Sequence, residues 1–217
     1  MVKGPNPPAP WGPDTNPPQF TLLNTFTYSG DLFYTRGRHN LKFGAVLNHH
    51  QLYTYGLTSE HGSVSFSSLA TFLQGQTNTV TAPTPGSKKD RTYQYNTLGF
   101  YLQDDFRVRP NLTINLGLRY EFYTDFTEVQ GEGSALRDPR RDAVYTPGPP
   151  VGKTSKRLQN LSPRLGFAWD IRGDGKTALR GGFAQMYDTA NVLQPIITSK
   201  TVQPPFSGQS QITTPST

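Results

Sequence analysis

Cysteine is missing altogether, which excludes disulfides, thiolate nucleophiles and sulfur-ligated metals. Long hydrophobic runs are missing too. No stretch of about eighteen apolar residues occurs, so no transmembrane helix can be drawn. The opening Met1-Val2-Lys3-Gly4-Pro5 lacks the basic-then-apolar build of a secretion signal. The chain is therefore expected to be a mature form or, better, an internal piece of a longer protein. Hydrophobic residues make up only 34% of the 217, few for a large dry core. Concentrated positive charge is also lacking. The 21 Lys and Arg are scattered among 15 acids, so the formal charge of +6 draws no stripe that could track phosphates. No nucleic-acid partner is expected.

What the chain does have is aromatics, 13 Phe and 11 Tyr, and a rhythm. Strands that alternate apolar and polar residues flank tight turns, and long polar loops separate one such hairpin from the next. From Leu112 to Phe122 every even position is apolar and every odd one is polar or glycine. Side chains on a strand point alternately to opposite faces, so this is a ribbon with one apolar side and one wet side. About ten such residues, tilted, cross the hydrocarbon of a bilayer.

The same unit recurs along the chain. Residues 1–19 contain seven prolines and read as an extended, unpaired segment. A strand follows over about Phe20 to Thr35, with a turn at Arg36 to Asn40. The return strand carries Leu41, Phe43, Ala45 and Leu47 on one side. A long Ser, Thr, Gly and Pro-rich loop spans 57–89, its Leu69-Ala70-Thr71-Phe72-Leu73 cluster reading as a helical turn. Leu98 to Leu102 leads through Arg109-Pro110-Asn111 into the strand at Leu112, and a second long loop spans 125–159. Leu161, Pro163, Leu165, Phe167, Trp169 and Ile171 share one side of a further strand. A turn at Arg172 to Lys176 then gives way to Leu179, Phe183 and Tyr187. A polar tail is read over 191–217.

The fold expected is all-β: an antiparallel up-and-down meander of about six strands over 20–190, part of a larger transmembrane β-barrel. Six strands cannot close a membrane barrel, whose strand count starts at eight, and an open edge in lipid leaves backbone groups unsatisfied. The rest of the barrel and outer-membrane lipid are the expected partners, in a bacterial outer membrane. The excess positive charge would face lipopolysaccharide phosphates or an anionic ligand. A competing reading is a soluble β-sandwich or adhesin-like module, whose apolar sides would pair as a core. A third is a truncated product with no function of its own.

Chemistry is sparse. No Ser/His/Asp constellation occurs, and Asp104-Asp105 point to opposite sides of a strand, so no enzyme, catalytic residue or cofactor is expected. His49-His50 diverge in the same way, and with His39 and His61 they read as surface or lumen histidines rather than a metal site. Gly173-Asp174-Gly175-Lys176-Thr177 ends like a phosphate-binding loop, but Asp170 stands where its first glycine is required. Gly148 to Thr154 is one residue short of that pattern. A tight hairpin and a solvated loop are the better readings. Arg119, Glu121, Arg164 and Arg180 lie on the polar parity of their strands and are candidate lumen-facing charges. Tyr28, Tyr120, Phe122 and Tyr187 are candidate interfacial aromatics. Asp104 shares the parity of Leu102 and Phe106. Alternation leaves two explanations, a charge tolerated near the membrane edge or a bulge that re-aims it.

The wording of the hairpins is itself informative. Arg38-His39-Asn40-Leu41-Lys42-Phe43-Gly44 resembles a strand of large TonB-dependent outer-membrane receptors. Phe100 to Phe106, followed by Asn111 to Glu121, is similar to their most recognisable hairpin. Ser162 to Asp170, followed by Gly173 to Phe183, is similar to a later one. Phe72-Leu73-Gln74-Gly75 resembles a motif of the intervening loop. The nearest subgroup is Oar-like, with a carboxypeptidase-regulatory-like domain. The resemblance spans about 20–190 and implies a 22-stranded barrel with a plug, opened by the TonB complex to import a large scarce ligand. No plug, TonB-interacting segment or barrel-closing strand is recognised in these residues.

Overall fold

The computed structural model describes residues 12–15, 20–57, 59–136, 138, 140–148, 160–187 and 204–213. Six long strands form one antiparallel sheet. They are β1 (Phe20–Arg36), β2 (His39–Tyr55), β5 (Asp90–Arg109), β6 (Leu112–Tyr123), β10 (Leu161–Asp170) and β11 (Ala178–Ala184), and they pair in that order. The meander is the one the alternation predicts, in three hairpins with their tight turns at one end and the long connections at the other. Neither β1 nor β11 has a second strand beside it among the described residues.

The turns explain themselves chemically. Only Gly37 and Arg38 separate β1 from β2, and Gly37 takes φ of 60°, the left-handed conformation that two-residue hairpin loops favour. The β10–β11 turn is held by Asp170, whose carboxylate accepts the backbone N–H groups of Gly173 (3.0 Å) and Gly175 (2.7 Å). A phosphate loop would offer such N–H groups to its ligand; here an acidic side chain already occupies them. The second phosphate-loop-like stretch lies outside the described residues after Gly148.

Cross-strand register sets which side chains share a face. Leu32, Phe43, Leu102, Leu118 and Pro163 form one row across the sheet. Tyr28, Leu47, Leu98 and Phe122 form another, two rows further from the turns. Leu116, Leu165 and Phe183 continue the band near the turns. These apolar residues stay in the open: Leu32 is 63% exposed, Leu102 52% and Phe183 66%. From Leu112 to Phe122 a strand tilted by 35–45° rises about 23–27 Å, against an apolar band about 25 Å tall in outer-membrane barrels.

Beyond Leu47 and Leu98 the face turns polar on β2 and β5, while β1 still carries Phe26, Leu22 and Phe20 there. The next rows pair His49 with Asn96 and Gln51 with Gln94. β2 and β5 thus continue past the apolar band as a polar collar, flanked by β1. The chain's few buried apolar side chains gather there instead. Leu52, Tyr93 and Tyr95 lie on the polar face, Phe126 from the second long connection packs on Tyr95, and Leu57 from the first is buried too.

Those connections are more ordered than their composition suggests. The first holds β3 (Ser63–Ser65), helix α1 (Leu69–Leu73) and β4 (Thr79–Pro83). Ser68 caps α1 through a reciprocal box with Thr71, and Phe72 stands edge-on to Phe66. The second holds β7 (Thr127–Glu128), which pairs with β5 just past the end of β6, and the short β8 (Ser134–Ala135) and β9 (Thr146–Pro147).

The structure adds detail at both ends of the chain. Within the stretch read as a polar tail, β12 (Gln209–Thr213) adds antiparallel to β4, and the other residues of 191–217, apart from 204–208, lie outside the described ones. Within the proline-rich start, Asp14 and Thr15 are described. Their carbonyls accept from His61, at 2.8 Å and 3.2 Å. Of the second long loop, residues 137, 139 and 149–159 are likewise outside the described residues.

Candidate functional site

Residues opposite the apolar band project from the other face of the sheet, the one that carries the polar residues of the alternation. Here the register collects Asp31, Gly44, Tyr101 and Arg119 in one row, with Lys42, Gln103, Gly117 and Arg164 in the next. The Tyr101 hydroxyl donates to the Asp31 carboxylate, and Lys42 Nζ lies 3.5 Å from the same group. Lys42 also stands 5.4 Å from the centre of the Tyr101 ring, and the Arg119 guanidinium stands 6.0 Å from it. Arg119 Nε donates to Glu121 Oε1 at 2.8 Å.

Glycine makes this cluster possible. A Cβ at Gly44 would strike the Asp31 carboxylate, with Tyr101 Cε1 at 2.9 Å, and one at Gly99 would meet Val46 at 2.9 Å. Without those methyls, Asp31 reaches Tyr101 across the intervening strand, and Arg119 folds back over β5 toward Glu121. Between them opens a pocket of about 300 Å³ lined by Lys42, Tyr101, Gln103, Arg119 and Arg164. Three cations, Lys42, Arg119 and Arg164, meet two carboxylates, Asp31 and Glu121, and a third, Asp105, accepts from the pocket-lining Gln103 at 3.2 Å.

The four predicted charges do not form one set. Arg119 and Glu121 are hydrogen-bonded partners, and Arg164 joins their pocket. Arg180 pairs in register with Ala168, nearer the turns and on the strand that bounds the sheet. Asp31, Lys42 and Tyr101 escaped the sequence reading. Each lies on the polar parity of its strand, but only the register shows that they meet.

The predicted aromatics divide similarly. Tyr28 and Phe122 sit in the last apolar row before the collar, and Tyr120 sits in the row next to it, its ring 5.5 Å from that of Phe122. Tyr187 lies past the end of β11, where its hydroxyl accepts from Gln185 Nε2 at 2.7 Å. His49 and His50 diverge as alternation requires: His49 bonds Asn96, and His50 bonds Thr25 while stacking 4.5 Å from Tyr95. Asp104 keeps the apolar parity. The register shift in β5 falls further on, between Arg107 and Arg109, so no bulge re-aims it.

Above the pocket an aromatic cap closes the polar face. Phe126 packs on Tyr95 (4.5 Å) and Tyr123 (5.8 Å). Ion pairs tie the connections around it, Lys89 to Glu60 within the first and Lys88 to Glu132 (2.8 Å) between the two. These loop carboxylates and amines stabilise each other's charged forms. The hydrogen bond from Lys89 holds the Glu60 carboxyl below the usual carboxylate range, and the bond to Glu132 raises Lys88.

An apolar band of bilayer height, a polar face opposite, tight turns at one end and long connections at the other define a transmembrane β-barrel wall. The chain matches the family model of an outer membrane beta barrel domain over residues 8–217 and belongs to that family. Its place is the bacterial outer membrane. Searches of curated proteins and of solved structures returned no match. With lipid covering the apolar band, the sandwich alternative loses its basis, since no second sheet packs on that face among the described residues.

Proposed function

We propose that this chain walls part of a TonB-dependent receptor, whose pore takes up a large scarce ligand using the inner-membrane proton gradient. The observation that carries this reading is that neither β1 nor β11 has an outer neighbour among the described residues. Membrane barrels begin at eight strands and tolerate no open edge, so six strands are a section of a wider wall. The hairpin motifs at 38–44, 100–121 and 162–183 support the receptor assignment. The charged pocket at Lys42, Tyr101, Arg119 and Arg164 would face a plug domain or passing ligand. The long connections over 57–89 and 125–159 would lie outside the cell as capturing or gating elements. The remaining barrel strands, a plug and the TonB complex are the partners this reading requires.

Conductance separates a plugged receptor from an open porin without knowledge of the ligand. The full-length protein in planar bilayers should stay nearly silent and conduct once its plug is deleted, and it should retain the purified TonB C-terminal domain. Free conductance by the intact protein, or failure to bind TonB, overturns the reading.

A further inference from the structure

The irregularity near the end of β5 redirects one charge. Odd-numbered residues of this strand, such as Tyr101, Gln103 and Asp105, belong to the polar face. An extra residue, Val108, resets the count, and Arg109 pairs directly with Leu112. Leu112 in turn pairs with Trp169, and Trp169 with Leu179. Paired residues project to the same side of a sheet. Arg109 therefore stands on the lipid side, in the row nearest the turns, exposed and without an ion-pair partner among the described residues.

Beside it lies a groove of about 410 Å³, lined by Arg109, Leu112, Ile114, Leu165, Phe167 and Trp169. Its depth has a visible cause. The Phe167 ring lies across Gly181 on β11, so closely that a Cβ there would fall 2.7 Å from Phe167 Cε1. Leaning that way, the ring leaves the space over Ile114 unfilled.

From this arrangement we infer a phospholipid site: Arg109 holds the phosphate of a glycerophospholipid whose acyl chain lies in the groove. A guanidinium offers paired donors suited to phosphate oxygens. The trough next to it is mostly apolar, lined by Leu112, Ile114, Leu165 and the Phe167 and Trp169 rings, which matches an amphiphile carrying its phosphate directly above its chains. Short turns face the periplasm, so the site belongs to the inner leaflet. It rests on the outer-membrane placement and not on what the barrel transports.

Native mass spectrometry of the full-length protein in detergent tests the site. Phosphatidylglycerol and a diacylglycerol with the same chains are the probes. The wild type should retain phosphatidylglycerol roughly five-fold better than Arg109→Gln does, and roughly five-fold better than it retains diacylglycerol. Arg109→Lys should recover part of the loss, and Ile114→Trp should reduce retention by filling the groove. Heat-modified gel migration reports whether each variant is folded. Equal retention by wild type and Arg109→Gln, equal retention of diacylglycerol, or displacement of the lipid by inorganic phosphate overturns the site.

Discussion

His39 Nδ1 lies 2.7 Å from Asp104 Oδ2, a polar pair set into the apolar face of the sheet. Asp104 occupies the row between Leu41 and Leu116, and the His39 ring stacks 4.4 Å from that of Phe106. A lone carboxylate here would meet hydrocarbon close to the turns. The imidazole gives it a partner on the same face, one row nearer the water.

Removing one partner should therefore hurt more than removing both. His39→Leu is expected to lower barrel stability by about 1–3 kcal/mol, because it strands a desolvated carboxylate. The double variant His39→Leu/Asp104→Leu should recover most of that loss. Urea unfolding in phospholipid vesicles provides the comparison, and a neutral single variant would contradict the pairing.

Gly44 and Gly30 differ in what they tolerate. Gly44→Ala should destabilise the wall by about 1–3 kcal/mol, since the new methyl would collide with Asp31 and Tyr101. Gly30→Ala, whose Cβ meets nothing within 4 Å, should cost far less. Equal unfolding midpoints for the two variants would show that the Asp31–Tyr101 contact does not need the bare strand.

Phe126 holds the cap. Its side chain is 3% exposed and touches Tyr95 and Tyr123, so Phe126→Ala should cost about 3–5 kcal/mol of local packing. The expected readout is faster proteolytic cleavage within 124–148 while the barrel band on a gel is unchanged. Unaltered cleavage would mean that the ion pairs alone keep the cap shut.

The loop ties should show two pH limits. Glu60 is lowered below its usual 4.5, so its contribution is present above that value and fades as pH falls through the folded one. Lys88 is raised above its usual 10.5, so its contribution is present below that value and fades as pH rises through the folded one. Amide exchange, corrected for intrinsic rates, should show loop protection across neutral pH that weakens at both extremes. Glu60→Gln should remove the acid limb and weaken the alkaline one, because Lys89 loses the carboxylate that raises it, while the Lys88 contribution persists.

The strands were legible because period two survives wherever one face meets lipid. Leu112 to Phe122 announces itself for that reason. The first half of β5 does not, because there the pattern inverts: Tyr93 and Tyr95 are buried beneath the long connections on the otherwise polar face, while Gln94 and Asn96 take the face that is apolar further along. β12 was illegible for a related reason: its partner β4 lies more than a hundred residues away and both are polar. The lumen charges could be placed on the correct face from parity, yet the meeting of Asp31 with Tyr101 depends on the register of three strands. Asp104 and Arg109 mark the sharper limit. One keeps its expected face and the other is turned over, and only the position of the bulge tells them apart.

The collar also makes the wall sensitive to membrane thickness. His49 and Asn96 sit one row above Leu47 and Leu98. In a bilayer only a few ångström thicker, their imidazole and amide groups would have to enter the acyl region or the lipid would have to thin around them. The protein is in this sense matched to the thin outer membrane, and it would sit under strain in a thicker one.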